Sequence, residues 1–375
     1  MAGTIPVMRI NYSLCQVIKS IFVGGNGKYC GKLKDSLRSY FGCENVSLTS
    51  SARCAIYQLV YSLPQKKVVV PAYTCEVVIE AIQLTGKNII YADIDKNTLN
   101  IKEYPTIDAD TIVVATHQYG IIDNIEKLAE ECAKKGAVLI EDCAGSFGGR
   151  LNGRLVGTIG DYGVFSFSAS KTVHSPTKGG FVIAKSKEAL MKIKSLPVVA
   201  NNLRSFKIKQ LIKAIGFCLA NNKLMSSVLF SFSQRGKNNS FSNPAEDESY
   251  YHVFYDWQAY VVLKQMKYLD KRLEERKELF RYYNDKISNP LIHKPLLQDG
   301  SVCIRYPILV ADRDMFFNLC KREQVFVGAG YHRLYCNEEC HIAQDVIKQI
   351  VYLPFGNGYS KKDINKVVRL VNSYR

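Results

Sequence analysis

Six short apolar runs between residues 46 and 185 set the architecture of this chain. They read Lys67-Val-Val-Val-Pro71, Asn88-Ile-Ile-Tyr-Ala92, Thr111-Ile-Val-Val-Ala115, Ala137-Val-Leu-Ile-Glu141, Gly163-Val-Phe-Ser-Phe167 and Gly180-Phe-Val-Ile-Ala184. Stretches with helical spacing lie between them, such as residues 125–135, whose Leu128, Ala129 and Cys132 share one face. Buried strands that alternate with helices predict an α/β fold with a mostly parallel sheet covered by helices.

The C-terminal third has a different pattern and predicts a second, smaller α+β unit. A long helix is predicted from Trp257 to about Tyr283. A strand near 302–310, a helix near 313–323 and a terminal helix near 361–373 follow. We therefore predict a large domain over residues 1–245 and a small domain over residues 246–375.

Composition excludes several classes of protein. Of the 375 residues, 47% are hydrophobic and 22% are charged, which is ordinary for a globular chain and excludes disorder, collagen and coiled coil. We expect neither a signal peptide nor a spanning helix, because no apolar run approaches 18 residues and the N-terminus lacks a basic flank before an apolar core. The twelve cysteines lack ligand spacing, so we predict no metal site and a cytoplasmic location.

The net charge of +16 is concentrated in one segment. Residues 189–245 contain no acidic residue and nine basic ones. Within this insertion-like segment, apolar positions 208, 211, 212, 215 and 219 predict an amphipathic helix. Two interpretations stay open: the helix packs on its own domain and exposes its lysines, or residues 204–235 contact an anionic membrane surface. No nucleic-acid-binding signature accompanies the charge, so we expect no nucleic-acid partner.

Three stretches contain residues suited to chemistry. Asp142 follows a strand, where ligands of parallel sheets bind, although an aspartate there also caps turns. Lys171 follows the strand and hydroxyl cluster Phe165-Ser-Phe-Ser-Ala-Ser170, although an isolated surface lysine would look the same. Leu48-Thr-Ser-Ser-Ala-Arg53 runs into a helix, whose N-terminus is either an ordinary cap or a phosphate site. A phosphate cradle, a carboxylate and a reactive lysine are together what pyridoxal phosphate (PLP) requires.

The order of these motifs resembles the DegT/DnrJ/EryC1/StrS family of PLP-dependent nucleotide-sugar aminotransferases over nearly the whole chain. The resemblance rests on Ser51-Ala-Arg53-Cys-Ala-Ile-Tyr57, Val70-Pro-Ala-Tyr-Thr74, Tyr91-Ala-Asp-Ile-Asp95, Thr116-His-Gln-Tyr-Gly120, Glu141-Asp142, Gly157–Asp161, Phe165-Ser-Phe167, Lys171, Gln258–Asp270, Arg276 and Leu353-Pro354. It implies the fold type I of PLP-dependent transferases.

The resemblance also implies roles for individual residues. The backbone amides of Ala52 and Arg53 and the hydroxyl of Ser166 would bind the cofactor phosphate. Asp142 would pair with the pyridinium nitrogen, and Lys171 would be the catalytic Schiff-base lysine. The implied activity is transfer of an amino group, from a donor such as glutamate, to a keto group of a nucleotide-activated sugar in amino-sugar or surface-polysaccharide biosynthesis. The implied assembly is a homodimer with sites at the interface.

Four positions depart from the family pattern. Gly145 stands where a glutamine or histidine is usual, and Lys178 stands before the Gly-Gly pair in place of glutamate. Cys75 replaces an aromatic residue, which leaves Tyr73 as a candidate to stack on the cofactor ring. Tyr251-His252-Val253 replaces an Asn-Tyr-Arg segment that reaches the neighbouring subunit. Two alternatives therefore stay open, a PLP lyase or dehydratase and a non-catalytic scaffold that keeps the fold.

Other histidines and aromatic residues have open roles. His117 is interpreted as structural and Trp257 as a core residue. His174, three residues after Lys171, is a candidate for the pocket. Tyr331 and His332 are candidates for closing the substrate pocket, with a purely structural role as the alternative.

Overall fold

The computed structural model describes residues 4–169, 171–194, 203–220, 253–336 and 338–375. The large sheet contains β1 (Val46–Thr49), β2 (Lys67–Pro71), β3 (Asn88–Ala92), β4 (Thr111–Thr116), β5 (Val138–Asp142), β8 (Tyr162–Ser166) and β9 (Gly180–Ala184). Two short hairpin strands, β6 (Arg150–Leu151) and β7 (Arg154–Leu155), lie between β5 and β8, and β10 (Tyr306–Leu309) pairs with β11 (Ile350–Leu353). The six predicted strands therefore exist within one residue of their predicted bounds.

The seven strands run in the order β1-β9-β8-β5-β4-β2-β3. Strands β3, β2, β4, β5 and β8 are parallel, and β9 is antiparallel to both of its neighbours. Parallel strands buried on both faces read as continuous apolar runs, as the sequence does here. The predicted mostly parallel α/β sheet is confirmed, and the carboxyl ends of β4, β5 and β8 meet at one edge.

Helices cover both faces of this sheet and build much of the C-terminal part. They are α1 (Leu14–Ile21), α2 (Lys28–Phe41), α3 (Ala52–Ser62), α4 (Glu76–Gln83), α5 (Glu126–Lys135), α6 (Lys187–Lys194), α7 (Leu203–Ala220), α8 (Asp256–Met266), α9 (Leu269–Lys286), α10 (Arg313–Arg322), α11 (His341–Gln349) and α12 (Lys361–Asn372). Alternate residues of each strand join different core clusters: Val69 and Val113 face one cluster, whereas Val68 and Ile112 face the other. The two-residue side-chain period of a strand produces this division.

The C-terminal part has its own core between β10, β11 and helices α9, α10 and α12. The prediction of one continuous helix from Trp257 to Tyr283 is wrong, because the helix breaks at Lys267 and Tyr268, where the Tyr268 amide turns back to the carbonyl of Gln265 at 3.0 Å. The break lets α8 pack on the helices of the large sheet, whereas α9 starts against the large core and its second half packs into the C-terminal core. The predicted domain boundary at residue 245 lies outside the described residues.

The helix predicted over residues 207–219 is confirmed as α7, but only part of its apolar side is buried: Leu211 is buried, whereas Ile208 and Ile212 are exposed. Of the basic segment, residues 195–202 and 221–245 lie outside the described residues. Among the helices of the described ranges, none combines the length and apolar character that crossing a bilayer demands.

Candidate active site

A cavity of about 430 Å³ lies at the carboxyl ends of β4, β5 and β8. Five of the six residues predicted for the cofactor line it, namely Ala52, Arg53, Asp142, Ser166 and Lys171. They come from three separate parts of the chain, and the parallel sheet brings them together because its carboxyl strand ends share one edge. The sixth predicted residue, Tyr73, is buried and does not line the cavity.

The first wall of the cavity is the N-terminus of α3. Ser51 caps this helix, and its hydroxyl accepts a hydrogen bond of 3.1 Å from the amide of Cys54. The amide of Ala52 has no hydrogen-bond acceptor among the described residues, as expected for the first turn of a helix. Strand β9 passes close by, since a Cβ added at Gly180 would lie 2.9 Å from the Ala52 nitrogen. This end of α3 is suited to binding an anion.

Ser166 completes this corner at the end of β8. It is buried, and its hydroxyl lies 3.0 Å from the hydroxyl of Ser168, which also lines the cavity. Hydroxyl groups rotate freely and can donate to an incoming oxygen. The amide of Ala52 and the two hydroxyls therefore lie in one corner of the cavity, and the hydroxyls can turn from each other toward an incoming phosphate.

Asp142 stands at the end of β5, at the floor of the cavity. Only 4% of the residue is exposed, and its Oδ1 accepts a hydrogen bond of 3.0 Å from the amide of Ala144. Its Oδ2 has no hydrogen-bond donor among the described residues. Burial raises the pKa of this carboxyl, against the opposing influence of the Ala144 amide and of Lys171. A cationic N–H group in the cavity would therefore find a ready partner here.

Lys171 reaches the cavity from the loop after β8. Burial lowers the pKa of its amine, while Cys75 and Asp142 oppose this effect and Arg305 adds to it. A lowered pKa increases the neutral fraction of an amine, and the neutral amine is the nucleophile. The side chain of Lys171 forms no ion pair with the described residues, so its amine faces the cavity without a competing partner.

His174 holds the loop that carries Lys171. It is fully buried, does not line the cavity, and burial lowers the pKa of its imidazole to about 4. Its Nε2 accepts from the amide of Asn11 at 3.0 Å, so its proton lies on Nδ1, which donates to the carbonyl of Lys171 at 2.9 Å. The side-chain amide of Gln265 accepts a hydrogen bond from the backbone N–H of His174 and donates one to its carbonyl oxygen. His174 therefore positions the lysine from behind.

Glu141 and His117 form a structural network beside the floor. The carboxylate of Glu141 is fully buried and accepts from the amides of Gly157, Ile159 and Gly160 at 2.6–2.7 Å. The Nδ1 of His117 accepts from the amide of Asp123 at 3.0 Å, so Nε2 carries the proton and points to Glu141 Oε2 at 3.4 Å. Cys143 is the only other potential metal ligand close to this pair among the described residues. Because both partners are already engaged, the network fits a structural role.

The structure shows what surrounds Tyr73, the candidate for stacking on the cofactor ring, and Gly145, a departure from the family pattern. Tyr73 is fully buried, its hydroxyl lies 2.7 Å from that of Tyr119, and it does not line the cavity, whereas Cys75 does. At Gly145, a Cβ would lie 3.0 Å from the backbone nitrogen of Gly120, and a Cβ at Gly120 would lie 2.6 Å from the Gly145 carbonyl. The two turns pack backbone against backbone, which leaves little room for a side chain at position 145.

The C-terminal part supplies residues that sequence reasoning missed. Arg305 lines the cavity and is 9% exposed, and its guanidinium lies 4.7 Å from the centre of the Tyr352 ring. It forms no ion pair with any described residue, and its one hydrogen bond to them goes from Nη2 to Met8 Sδ at 3.8 Å. A lone arginine inside the apolar run Val302-Cys-Ile-Arg-Tyr-Pro-Ile-Leu309 is the signal that could have revealed it. A buried, unpaired guanidinium is a site for an anion.

The remaining sequence candidates separate into two groups. Tyr331 lines the cavity, and its ring stacks on that of Tyr119 with centroids 5.8 Å apart. His332 is exposed, and Lys178 reaches the rim of the cavity. Trp257 is a buried core residue. Tyr251 and His252 lie outside the described residues.

Comparison with known proteins gives the relationship of the chain. The curated relatives include the GDP-perosamine synthase of Vibrio cholerae, 30% identical over 193 residues, and the dTDP-3-amino-3,6-dideoxy-alpha-D-galactopyranose transaminase of Aneurinibacillus thermoaerophilus, 24% identical over 323 residues. The first alignment covers 49% of this chain and 52% of the relative, and the second covers 82% and 78%. The chain thus spans about half the length of the first relative.

Solved structures and a family model complete the comparison. A sugar aminotransferase from Micromonospora echinospora superposes with a TM-score of 0.75 at 17% identity, over 98% of this chain and 99% of the other. This likeness confirms the predicted fold type I of PLP-dependent transferases. The model of the DegT/DnrJ/EryC1/StrS aminotransferase family matches residues 8–372. With nearly its whole length matched, the chain belongs to the DegT/DnrJ/EryC1/StrS aminotransferase family.

Proposed function

We propose that this protein is a PLP-dependent aminotransferase that moves an amino group from an amino acid to a keto group of a nucleotide-activated sugar. Three groups that line one cavity support the proposal. They are the amine of Lys171, the Asp142 carboxylate oxygen that accepts no hydrogen bond from the described residues, and the amide of Ala52. The relatives' printed names, a GDP-perosamine synthase and a dTDP-amino-sugar transaminase, support the substrate class.

The residues present fit PLP. The amide of Ala52 at the N-terminus of α3 and the rotatable hydroxyls of Ser166 and Ser168 offer hydrogen-bond donors for the phosphate. Asp142 would hold a proton on the pyridine nitrogen, and Lys171 would provide the covalent attachment. When bound, PLP supplies an electron sink that stabilises negative charge at the amino acid's α-carbon.

The chain's own residues carry the proton transfers. The amine of Lys171 would take the proton from the α-carbon of the donor and deliver it to the cofactor carbon that receives the amino group. Water would then release the donor as a keto acid, and the amino group would stay on the cofactor. The same steps in reverse would convert the keto sugar to an amino sugar. Because His174 fixes the backbone of Lys171 from outside the cavity, the amine can swing while its anchor stays in position.

Arg305 would bind the anionic group of a substrate. Its guanidinium is buried at the cavity wall and has no acidic partner among the described residues. A carboxylate can accept two parallel hydrogen bonds from a guanidinium, which suits the donor amino acid. We assign the α-carboxylate of the donor, such as glutamate, to Arg305.

Assembly and location follow from the resemblance to the family. We propose a homodimer whose sites lie at the interface, and sedimentation measurements would test it. The twelve cysteines of the chain are free thiols, which supports a reducing cytoplasm.

An absorbance spectrum tests the activity. The purified protein with added PLP should develop a visible band that Lys171→Ala abolishes, and glutamate should bleach the band by converting the cofactor to its amine form. A band that no amino donor bleaches would favour a lyase or dehydratase. Absence of any band would favour a non-catalytic scaffold and overturn the proposal.

A further inference from the structure

Helices α1 and α7 lie side by side on the outside of the molecule. Their inner faces pack on α8, where Val17, Leu211 and Ala214 join a buried cluster with Trp257 and Val261. The amine of Lys207 donates to the carbonyl of Ile21 at 3.2 Å and links the two helices. The outer faces of α1 and α7 therefore form one continuous surface.

The outer faces are apolar and exposed. The exposed fractions are 38% for Leu14, 44% for Ile18, 39% for Ile21, 83% for Phe22, 58% for Ile208 and 64% for Ile212. The sequence pattern had grouped Ile208 and Ile212 with Leu211 on one buried face. The helix instead turns Leu211 and Ala214 toward Trp257, which leaves both isoleucines outside. Six exposed large apolar side chains in one region mark an interaction surface.

The two helices of this surface carry charge of a single sign. The chain has no acidic residue over 1–34 or over 189–245, the two segments that contain α1 and α7. Lys19 and Lys213 are exposed on these helices. The one acidic residue of the underlying α8, Asp256, is buried and accepts from the amide of Cys30. Both helices therefore present exposed lysines and no carboxylate of their own. Glu275 of α9 faces the N-terminal end of α1, where it lines a depression with Ser13 and Gln16, at the other end of the helix from Phe22.

We propose that α1 and α7 form a docking surface for an anionic lipid bilayer, which the side chains around Phe22 and Ile212 enter while the lysines bind lipid phosphates. Charge complementarity selects this partner. A second copy of the same surface would bring cation against cation, which opposes self-association. The docking is peripheral and independent of the reaction in the cavity.

Vesicle flotation of the full chain tests the proposal. The probes are vesicles of phosphatidylcholine alone and vesicles with about a third phosphatidylglycerol. One variant combines Ile18→Ser, Phe22→Ser and Ile212→Ser, and another combines Lys19→Gln and Lys213→Gln. A matched control combines Leu296→Ser and Met315→Ser, which are exposed apolar residues of the C-terminal part. Thermal unfolding verifies that each variant is folded, and size-exclusion chromatography reports its oligomeric state.

We expect binding to the anionic vesicles only, with loss at high salt. The lysine variant should bind roughly thirtyfold more weakly, from about a factor of five per lysine near a charged surface. The serine variant should lose binding, and the control should match the wild type. Equal binding to neutral vesicles, no binding at all, or unchanged binding by the folded serine variant would overturn the proposal. So would a dimer that only the serine variant dissociates, which would assign the surface to a second copy.

Discussion

The imidazole of His174 donates from Nδ1 to the carbonyl oxygen of Lys171 at 2.9 Å, and its other nitrogen accepts from the amide of Asn11 at 3.0 Å. One buried neutral ring thus connects the loop of the reactive lysine to the N-terminal segment. The contact is made to the backbone, so it fixes the base of the lysine while leaving its amine available to the cavity.

Replacing His174 with alanine should loosen this loop. The carbonyl of Lys171 and the amide of Asn11 would lose their partner, at about 1–3 kcal/mol for each buried group left unsatisfied. Urea unfolding should show this loss, and the pH dependence of the visible cofactor band should shift because the lysine is less well held. A band that titrates as in the wild type would limit His174 to a purely structural role.

The same histidine predicts a dependence of stability on pH. Its pKa is about 4 in the folded protein and 6.5 in the unfolded chain. Since the unfolded chain takes up the proton first, the free energy of unfolding should fall as pH drops from about 6.5 toward 4, by about 2 kcal/mol at pH 5. Urea titrations at pH 7 and pH 5, compared with His174→Gln, measure it. An equal loss in both proteins would refute the assignment to His174.

Asp142→Asn should lower the rate of transamination while leaving the protein folded. The amide oxygen can still accept from Ala144, so the protein should fold, whereas the neutral side chain cannot hold the pyridinium proton. We expect the transamination rate to fall by roughly a hundredfold or more. Glu141→Gln is the matched control: it should destabilise the protein, because its carboxylate accepts from three amides. Transamination by Asp142→Asn at the wild-type rate would disprove the assignment.

Arg305→Gln should weaken binding of the amino donor. Loss of a charged hydrogen-bond pair should raise the KM for glutamate by roughly tenfold to a hundredfold, with a smaller change for the sugar. Arg305→Lys keeps the charge and should recover part of the affinity. Arg281→Gln, a surface change on α9, serves as the control. Steady-state kinetics with each substrate varied will decide, and an unchanged KM for every donor tested would remove Arg305 from the site.

A larger side chain at position 145 should lower the stability of the protein. Gly145→Ala would press a Cβ to 3.0 Å from the Gly120 backbone and should destabilise the protein by about 1–3 kcal/mol. Gly25→Ala, with nothing within 4 Å of the added Cβ, should change stability little. Thermal or urea unfolding of the two variants compares them directly. Equal stability would mean that the missing side chain at 145 has no packing cause.

Much of the fold could be predicted because its strands are buried on both faces and appear as continuous apolar runs, such as Val68–Val70. The cofactor candidates were predictable for a related reason, since Asp142 and Ser166 stand at strand ends that share one edge. Each of these residues is recognised from its own stretch of sequence. The parallel sheet then places the ends of neighbouring strands, and the residues on them, side by side.

The unpredicted features depend on contacts that are distant in sequence. The role of His174 requires Asn11, which is 163 residues away. The burial of Arg305 depends on the seating of the C-terminal part against the cavity, and the orientation of α7 depends on Trp257. Helical periodicity alone does not distinguish Ile212 from Leu211, because both lie on the apolar side of α7. Only part of that side packs against Trp257, so Leu211 is buried and Ile212 is exposed.

In the function proposed above, Lys171 is the residue that binds the cofactor covalently. Borohydride reduction of the PLP-loaded protein, followed by proteolysis and mass spectrometry, locates the attached lysine. We predict that the label is on Lys171 alone. Lys178 lines the same cavity. A label on Lys178, or no label on any lysine of a protein that binds PLP, would show that Lys171 is not the attachment site.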